Sequence, residues 1–205
     1  MLLLRKPSDQ TIAQFIASQQ ELPFSYPQVG TTRDGASAEL LPGYNVDHNC
    51  IRLGEGAETF ARAVAALKSW RQFELGWVSV VPAAPPLAIG TTVAVRFKKF
   101  GWWWLNAARI VYLLDEASEA RVAGSAAHKA RFGFAYGTLP DHIEGGEERF
   151  RVEWREDDSV WYDIHAFSRP RHPLVRLGYP LARRLQKRFV RASLAVMVEA
   201  ARVPK

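Results

Sequence analysis

The chain has 205 residues, 48% of them apolar and 12% aromatic, and a formal net charge of +6. These values describe one or at most two compact domains and exclude a disordered chain, which lacks large apolar side chains. Cys50 is the single cysteine, which excludes a disulfide scaffold and any metal centre built from several cysteines. A lone thiol also favours a cytoplasmic location.

Residues 1–43 are predicted to form an N-terminal extension consisting of a helix and a loop. Ile12, Phe15 and Ile16 recur at helical spacing after Ser8, a residue suited to the helix N-cap. Prolines and glycines spread over 23–43 indicate an irregular connection. We expect no signal peptide here and no transmembrane segment in the uncharged stretch 75–95, which prolines and glycines interrupt.

Residues 44–205 are predicted to form one domain of mixed helix and strand. Apolar positions at helical spacing predict a helix over 58–73 and a long C-terminal helix over 174–201, which Pro180 either kinks or starts. The predicted strands cover 44–53, 77–81, 91–97, 107–115, 130–137, 147–154 and 159–167.

This order of elements is typical of an α+β fold rather than an alternating βαβ fold. We expect a curved antiparallel sheet wrapped around the long C-terminal helix, the helix-grip arrangement, with a concave apolar space between them. The alternative is a closed barrel with the C-terminal helix outside it.

Aromatic side chains on the predicted strands are candidates for the wall of that space. Phe134 and Tyr136 share one strand face and are either ligand contacts or ordinary core. Of the consecutive residues 102–104, all tryptophan, at least one must point to the second face of the sheet. The predicted ligand-binding set is Trp77, Trp103, Tyr112, Phe134, Tyr136, Trp161, Asp163 and His165.

The best polar set consists of Tyr162, Asp163 and His165 together with Asp47 and His48. A carboxylate on a neighbouring strand can orient an imidazole for proton transfer, although satisfied hydrogen-bond partners in a sheet are the alternative. We predict no catalytic residue, cofactor or metal site. The five histidines show no paired spacing, and the nucleophile elbow, phosphate loop and dinucleotide fingerprint are missing.

The positive charge is local, because 169–191 holds eight arginine and lysine residues and no acid. The rest of the chain is close to neutral. Such a patch can bind an anionic surface, nucleic acid or membrane, and we predict Arg183, Arg184, Lys187 and Arg188 for this contact. The alternative is the solvated side of an amphipathic helix.

Several long motifs resemble one known family. They are RFGFAYGTLP at 131–140, GGEERF at 145–150, VWYDI at 160–164, SRPRHP at 168–173, and the opening YNVDHN at 44–49. Together they resemble the family catalogued as domain of unknown function 1990. The resemblance implies the START-like, pollen-allergen-like helix-grip fold, whose members often hold apolar ligands, and it implies no catalytic residue.

The leading hypothesis is therefore a binding module that holds a small apolar or amphipathic ligand between sheet and helix. The first alternative is a cyclase-like or hydrolytic enzyme in which Asp163 or His165 handles protons in the same cavity. The second alternative is a protein that uses its basic surface to meet nucleic acid or an anionic membrane.

Overall fold

The computed structural model describes residues 1–33, 35, 37, 39, 41–99, 101–117, 128–171 and 178–202. The helices are α1 (Asp9–Gln19), α2 (Gly56–Lys68) and α3 (Tyr179–Ala201), with a short 3₁₀ turn at Arg71–Phe73. The strands are β1 (Leu2–Leu3), β2 (Asn45–Glu55), β3 (Val78–Val81), β4 (Thr92–Lys99), β5 (Trp102–Ala117), β6 (His128–Thr138), β7 (Glu144–Arg155) and β8 (Ser159–Pro170).

The strands form one curved antiparallel sheet in the order β2-β8-β7-β6-β5-β4-β3, with β1 paired to β5. Strands β2 and β3 lie at opposite ends of this order, so the sheet is open and the closed-barrel alternative is wrong. Helices α2 and α3 pack on one face, called here the inner face. The predicted α+β helix-grip fold is confirmed.

Aromatic side chains fill the space between the inner face and the helices. Phe73, Phe134 and Phe150 are fully buried, and the ring centroids of Phe134 and Phe150 lie 5.4 Å apart. Trp70 packs on Phe134, and its indole N–H donates to the carbonyl of Pro85 at 2.9 Å. These rings supply a large share of the buried apolar area that stabilises the domain.

The helices follow the sequence pattern closely. The Oγ of Ser8 caps α1 by accepting from the backbone N–H of Thr11 at 3.2 Å. The helix predicted over 58–73 instead ends at Lys68, because Trp70 adopts a left-handed conformation and a 3₁₀ turn follows. Pro180 stands in the first turn of α3, and the predicted helical positions 174–177 lie outside the described residues. Within the described part of the chain, no helix is both long and apolar enough to cross a membrane.

The N-terminal extension packs on the opposite, outer face of the sheet. Ile12 and Phe15 of α1 are buried against Ala94, Leu105 and Ala107 of β4 and β5. The terminal amino group donates to the Leu105 carbonyl at 2.8 Å. Sheet residues are thereby buried on both faces in this region, and the extension is part of the packed structure.

The carboxylate of Glu147 binds the loop that follows α1 to the outer face of the sheet. It accepts hydrogen bonds from the Tyr26 hydroxyl at 2.7 Å, the Gly30 N–H at 2.7 Å and the Thr32 N–H at 3.0 Å, and also from the Thr32 hydroxyl. The neighbouring Arg149 donates to the Thr32 carbonyl at 2.6 Å. Hydrogen bonds to a charged group are stronger than neutral ones, so this pair of side chains anchors the extension.

The close approach of Tyr26 depends on Gly137, which lies on the outer face of β6. A Cβ at that position would lie 2.1 Å from the Tyr26 hydroxyl oxygen and 2.9 Å from Phe24. The glycine and alanine side of β6 therefore accommodates another part of the chain.

We expect Gly137→Ala to lower the free energy of unfolding by about 1–3 kcal/mol, because the added methyl group overpacks a buried ring. Urea denaturation measures this loss. Gly145→Ala on β7 is the matched control, since its Cβ would meet chiefly the flexible Arg171 side chain at 2.8 Å. Equal losses in the two variants would show that Tyr26 is not the element displaced.

Candidate functional site

A cavity of about 610 Å³ lies between the inner face of the sheet and the N-terminal half of α3. Its apolar wall includes Trp77, Val95, Phe97, Trp104, Leu185 and Phe189. Phe97 and Trp104 are stacked there, with ring centroids 6.0 Å apart and planes 7° apart. The volume lies in the range of about 300–1,000 Å³ that is typical of small-molecule sites.

One row of residues, paired in register across neighbouring strands and called here the polar row, places polar groups in this cavity. Asp47 on β2 is in register with Ala166 on β8, which is in register with Glu148 on β7, and Glu148 faces Tyr136 on β6. All four residues line the cavity. The small side chain of Ala166 leaves space between the two carboxyl groups.

Glu148, which is partly buried, and Tyr136, which is buried, form a hydrogen-bonded pair in that row. The Tyr136 hydroxyl donates to Glu148 Oε2 at 2.5 Å. Burial raises the pKa of Glu148 to about 7, although the Tyr136 hydrogen bond acts in the opposite direction. Burial and the neighbouring Glu148 also raise the pKa of Tyr136 well above its ordinary value. The pair thus combines a carboxyl group that titrates near neutral pH with a hydroxyl group that stays protonated.

Two side chains of α3 extend the polar end of the cavity. Gln186 donates through Nε2 to Glu144 Oε1 at 2.5 Å, and burial raises the pKa of Glu144. Arg183 holds Asp47 with two hydrogen bonds of 2.6 and 2.7 Å. These contacts fix the N-terminal half of α3 over the cavity.

His142 lines the same end of the cavity as a neutral imidazole. Burial lowers its pKa to about 3. Its Nδ1 lies 3.0 Å from the backbone nitrogen and 3.1 Å from the carbonyl oxygen of Glu144. Among the described residues, no group of three or more histidine, cysteine, aspartate or glutamate side chains could hold a metal ion.

Three of the predicted ligand-binding residues lie on the inner face. Trp77 and Tyr136 line the cavity, and their contact with a ligand stays a prediction. Phe134 does not line it, because it is fully buried in the core against Trp70 and Phe150. This outcome corresponds to the ordinary-core alternative.

Trp103, Tyr112 and Trp161 lie on the outer face and do not line the cavity. Trp103 alternates with the cavity residues Trp102 and Trp104, and Arg96 and Lys98 lie over its ring. The side chains of Trp161 and its buried neighbour Tyr162 likewise point to opposite faces of β8.

A β-bulge explains the position of Tyr112. The pairing of β5 with β6 shifts register between Ile110 and Tyr112, so the alternation of inner and outer side chains reverses there. The Tyr112 hydroxyl lies 2.7 Å from the Thr32 hydroxyl in the N-terminal extension. Burial raises the pKa of Tyr112 to about 12.

Asp163 and His165 also lie on the outer face, behind the cavity wall. Asp163 contacts His48 and pairs with Arg149 at 2.7 Å. Burial alone would raise the pKa of Asp163, but the His48 hydrogen bond and the Arg149 and Arg151 guanidinium groups lower it to about 2. The His165 ring packs 5.1 Å from that of His48. A reaction inside the cavity therefore cannot use Asp163 or His165 directly.

Glu144 and Glu148 were not among the predicted site residues, although the sequence contains a signal for them. Phe150 and Val152 mark the even-numbered positions of β7 as the inner ones. Extending that period of two toward the N-terminus places Glu148 and Glu144 on the same side. A charged residue at a position that alternation assigns to the inner face is the pattern that indicates a polar group in the cavity.

The predicted anionic-surface residues differ in what they contact. Arg183 is engaged by Asp47, and Arg188 lies 4.6 Å over the Trp77 ring. Arg184, Lys187 and Arg188 are exposed on α3. Their contact with an anionic partner stays a prediction.

We expect Glu148→Gln to stabilise the protein at pH 8. Because the folded state raises the pKa of Glu148, folding takes up a proton between about pH 4.5 and 7, and stability falls as the pH rises through that window. At 1.36 kcal/mol per pKa unit, the free energy of unfolding of the variant should exceed that of the wild-type protein by up to about 3 kcal/mol at pH 8 and by little at pH 4.5.

Urea denaturation of both proteins at the two pH values measures this gain. Glu153→Gln is the control, because Glu153 lies on the outer side of the same strand and pairs with Arg151 and Arg155. A difference between Glu148→Gln and the unchanged protein that does not vary with pH would contradict the prediction.

Comparison with known proteins agrees with the fold. Residues 25–196 match the family described as a domain of unknown function (DUF1990). A UPF0548 protein of Dictyostelium discoideum is 42% identical over 213 residues, covering 98% of this chain and 95% of its own length. A UPF0548 protein of Deinococcus radiodurans is 35% identical over 213 residues, covering 98% and 99%.

A solved structure shares the fold at much lower identity. It is the di-domain ARO/CYC protein BexL from the BE-7585A biosynthetic pathway, with a TM-score of 0.50 and 14% identity. The match covers 82% of this chain and 53% of that one. From the family match over residues 25–196 and the two full-length relatives, this chain belongs to the DUF1990 family.

Proposed function

We propose that this protein binds a small apolar or amphipathic molecule in the cavity between the sheet and α3. The observation that carries the proposal is the combination of an apolar wall with the hydrogen-bonded pair of Glu148 and Tyr136. Ligand sites are typically mostly apolar, with a few polar groups that fix orientation. Because Cys50 is exposed and unpaired, we also propose a reducing, cytoplasmic location.

The aromatic rings support an apolar ligand body. Trp77, Phe97 and Trp104 present ring surface to the cavity, and Trp102 lines it while 40% exposed. Removing this surface from water is favourable at about 25 cal/mol per Å², so a ligand of matching shape gains affinity from contact with it. The polar row at Asp47, Glu148 and Tyr136 supports a polar group at one end of the same ligand.

We expect Ala182→Trp to weaken the binding of a neutral lipophilic dye at least tenfold. Ala182 lines the cavity from α3, so an indole there would occupy the space for the ligand. Nile red fluorescence should rise saturably when the dye is titrated with the wild-type protein. The apparent Kd should increase at least tenfold in Ala182→Trp. Ala195→Trp is the control, because Ala195 is exposed on the same helix. Equal dye binding by the two variants would place the dye outside the cavity.

A second candidate function is catalysis of a proton transfer within the cavity. The pKa of about 7 at Glu148 favours it, since a general acid or base works best when its pKa is near the operating pH. Incubation with a metabolite extract, followed by mass spectrometry, should reveal a compound consumed by the unchanged protein and not by Glu148→Gln. A compound that both proteins consume equally would exclude Glu148 from that reaction.

A further inference from the structure

The polar end of the cavity holds three carboxyl groups, and one of them is neutralised. Arg183 pairs with Asp47 through two contacts. Glu148 and Glu144 instead accept from neutral donors, the Tyr136 hydroxyl and the Gln186 amide. In the part of the chain that the structure describes, neither glutamate forms an ion pair.

Both glutamates also keep one carboxyl oxygen available. Tyr136 occupies Oε2 of Glu148, and Gln186 occupies Oε1 of Glu144. The other oxygen of each accepts no hydrogen bond from a described residue. Neither of these oxygens is among the fully buried side-chain atoms that lack a hydrogen-bond partner. Both side chains line the cavity, so these oxygens are accessible to a bound molecule.

The basic residues on the cavity wall do not compensate these carboxyl groups. His142 is held neutral by burial. Lys99 pairs in register with Trp102, whereas Glu148 lies in the row that meets β5 at Ile110, much farther along that strand. Among the described residues, no cationic group donates a hydrogen bond to Glu144 or Glu148, so a cationic donor on the ligand would complement them and an anionic group would be repelled.

We propose that the ligand carries an ammonium group at one end of an apolar body, and that Glu144 and Glu148 bind this group. The inference rests on the proposed ligand-binding function and specifies the chemical class of the ligand. The aromatic wall holds the body, and the free oxygens of the two glutamates accept hydrogen bonds from the ammonium group. Because Asp47 is paired with Arg183, it does not take part in binding the ammonium group.

The proposal implies that affinity depends on pH. The groups that face Glu148 are Tyr136 from β6, Glu144 on its own strand, Asp47 from β2 and Tyr162 from β8, whereas Arg183 and Gln186 from α3 act on Glu144. A primary alkylamine stays protonated between pH 5.5 and 8.5, whereas Glu148 loses its proton within that window. Amine affinity should therefore rise with pH.

Three naphthalene compounds of the same shape test the proposal by isothermal titration calorimetry. They are 2-(1-naphthyl)ethylamine, 2-(1-naphthyl)ethanol and 1-naphthylacetic acid. At pH 8.5 the amine should bind at least tenfold tighter than the alcohol, since a charge-assisted hydrogen bond exceeds a neutral one by that order, and the acid should bind most weakly. At pH 5.5 the preference for the amine should shrink.

Glu148→Gln should weaken amine binding about tenfold at pH 8.5, remove most of its pH dependence and leave alcohol binding within twofold. Glu153→Gln, on the outer side of the same strand, should leave all three affinities unchanged. Equal binding of amine and alcohol, or tighter binding of the acid, would overturn this inference while the ligand-binding function stands. If neither these compounds nor Nile red bind, the proposed function itself fails.

Discussion

The alternation of side chains along β7 is the constraint on which both faces of this protein depend. In a pleated strand, successive residues point to opposite sides, so adjacent residues can serve unrelated purposes. Glu147 points outward and accepts four hydrogen bonds from the N-terminal extension, while Glu148 points inward and meets Tyr136. A shift of register by one residue would exchange these two carboxyl groups and disrupt both sites at once.

The two glutamates differ in how far their surroundings compensate them. Glu147 accepts from four donors, the Tyr26 hydroxyl, the Gly30 N–H and the N–H and hydroxyl of Thr32. Glu148 has one neutral hydroxyl donor, and burial raises its pKa to about 7. Ionised Glu148 therefore costs folding free energy, and nothing in the packing of the inner face requires a carboxyl group there. Residues that break a local rule without structural gain are typical of functional sites.

The order of elements and most strand positions could be predicted from the sequence, because they follow from local periodicity. Phe150 and Val152 alternate with charged residues, and Ile12 and Phe15 recur at helical spacing. Which face of the sheet a side chain points to was harder to predict than where the strands lie. Three consecutive tryptophans carry no internal alternation, so Trp103 was assigned to the wrong face, and the bulge before Tyr112 reversed the expected alternation. The approach of Tyr26 to Gly137 joins distant parts of the chain, and no local pattern encodes it.

The polar end of the cavity is also the place where α3 is attached to the sheet. Arg183 reaches Asp47, Gln186 reaches Glu144, and Tyr179 donates to Asn45 at 2.7 Å. The C-terminal half of the helix is secured differently, by buried Met197 and Ala201 in the apolar core. In the proposed complex, the ammonium group binds the second oxygen of Glu144 and leaves the Gln186 contact at Oε1 in place. The contacts of Arg183, Gln186 and Tyr179, together with the hydrogen bond between Ser193 and Tyr162, would thus hold the helix in place over a bound molecule.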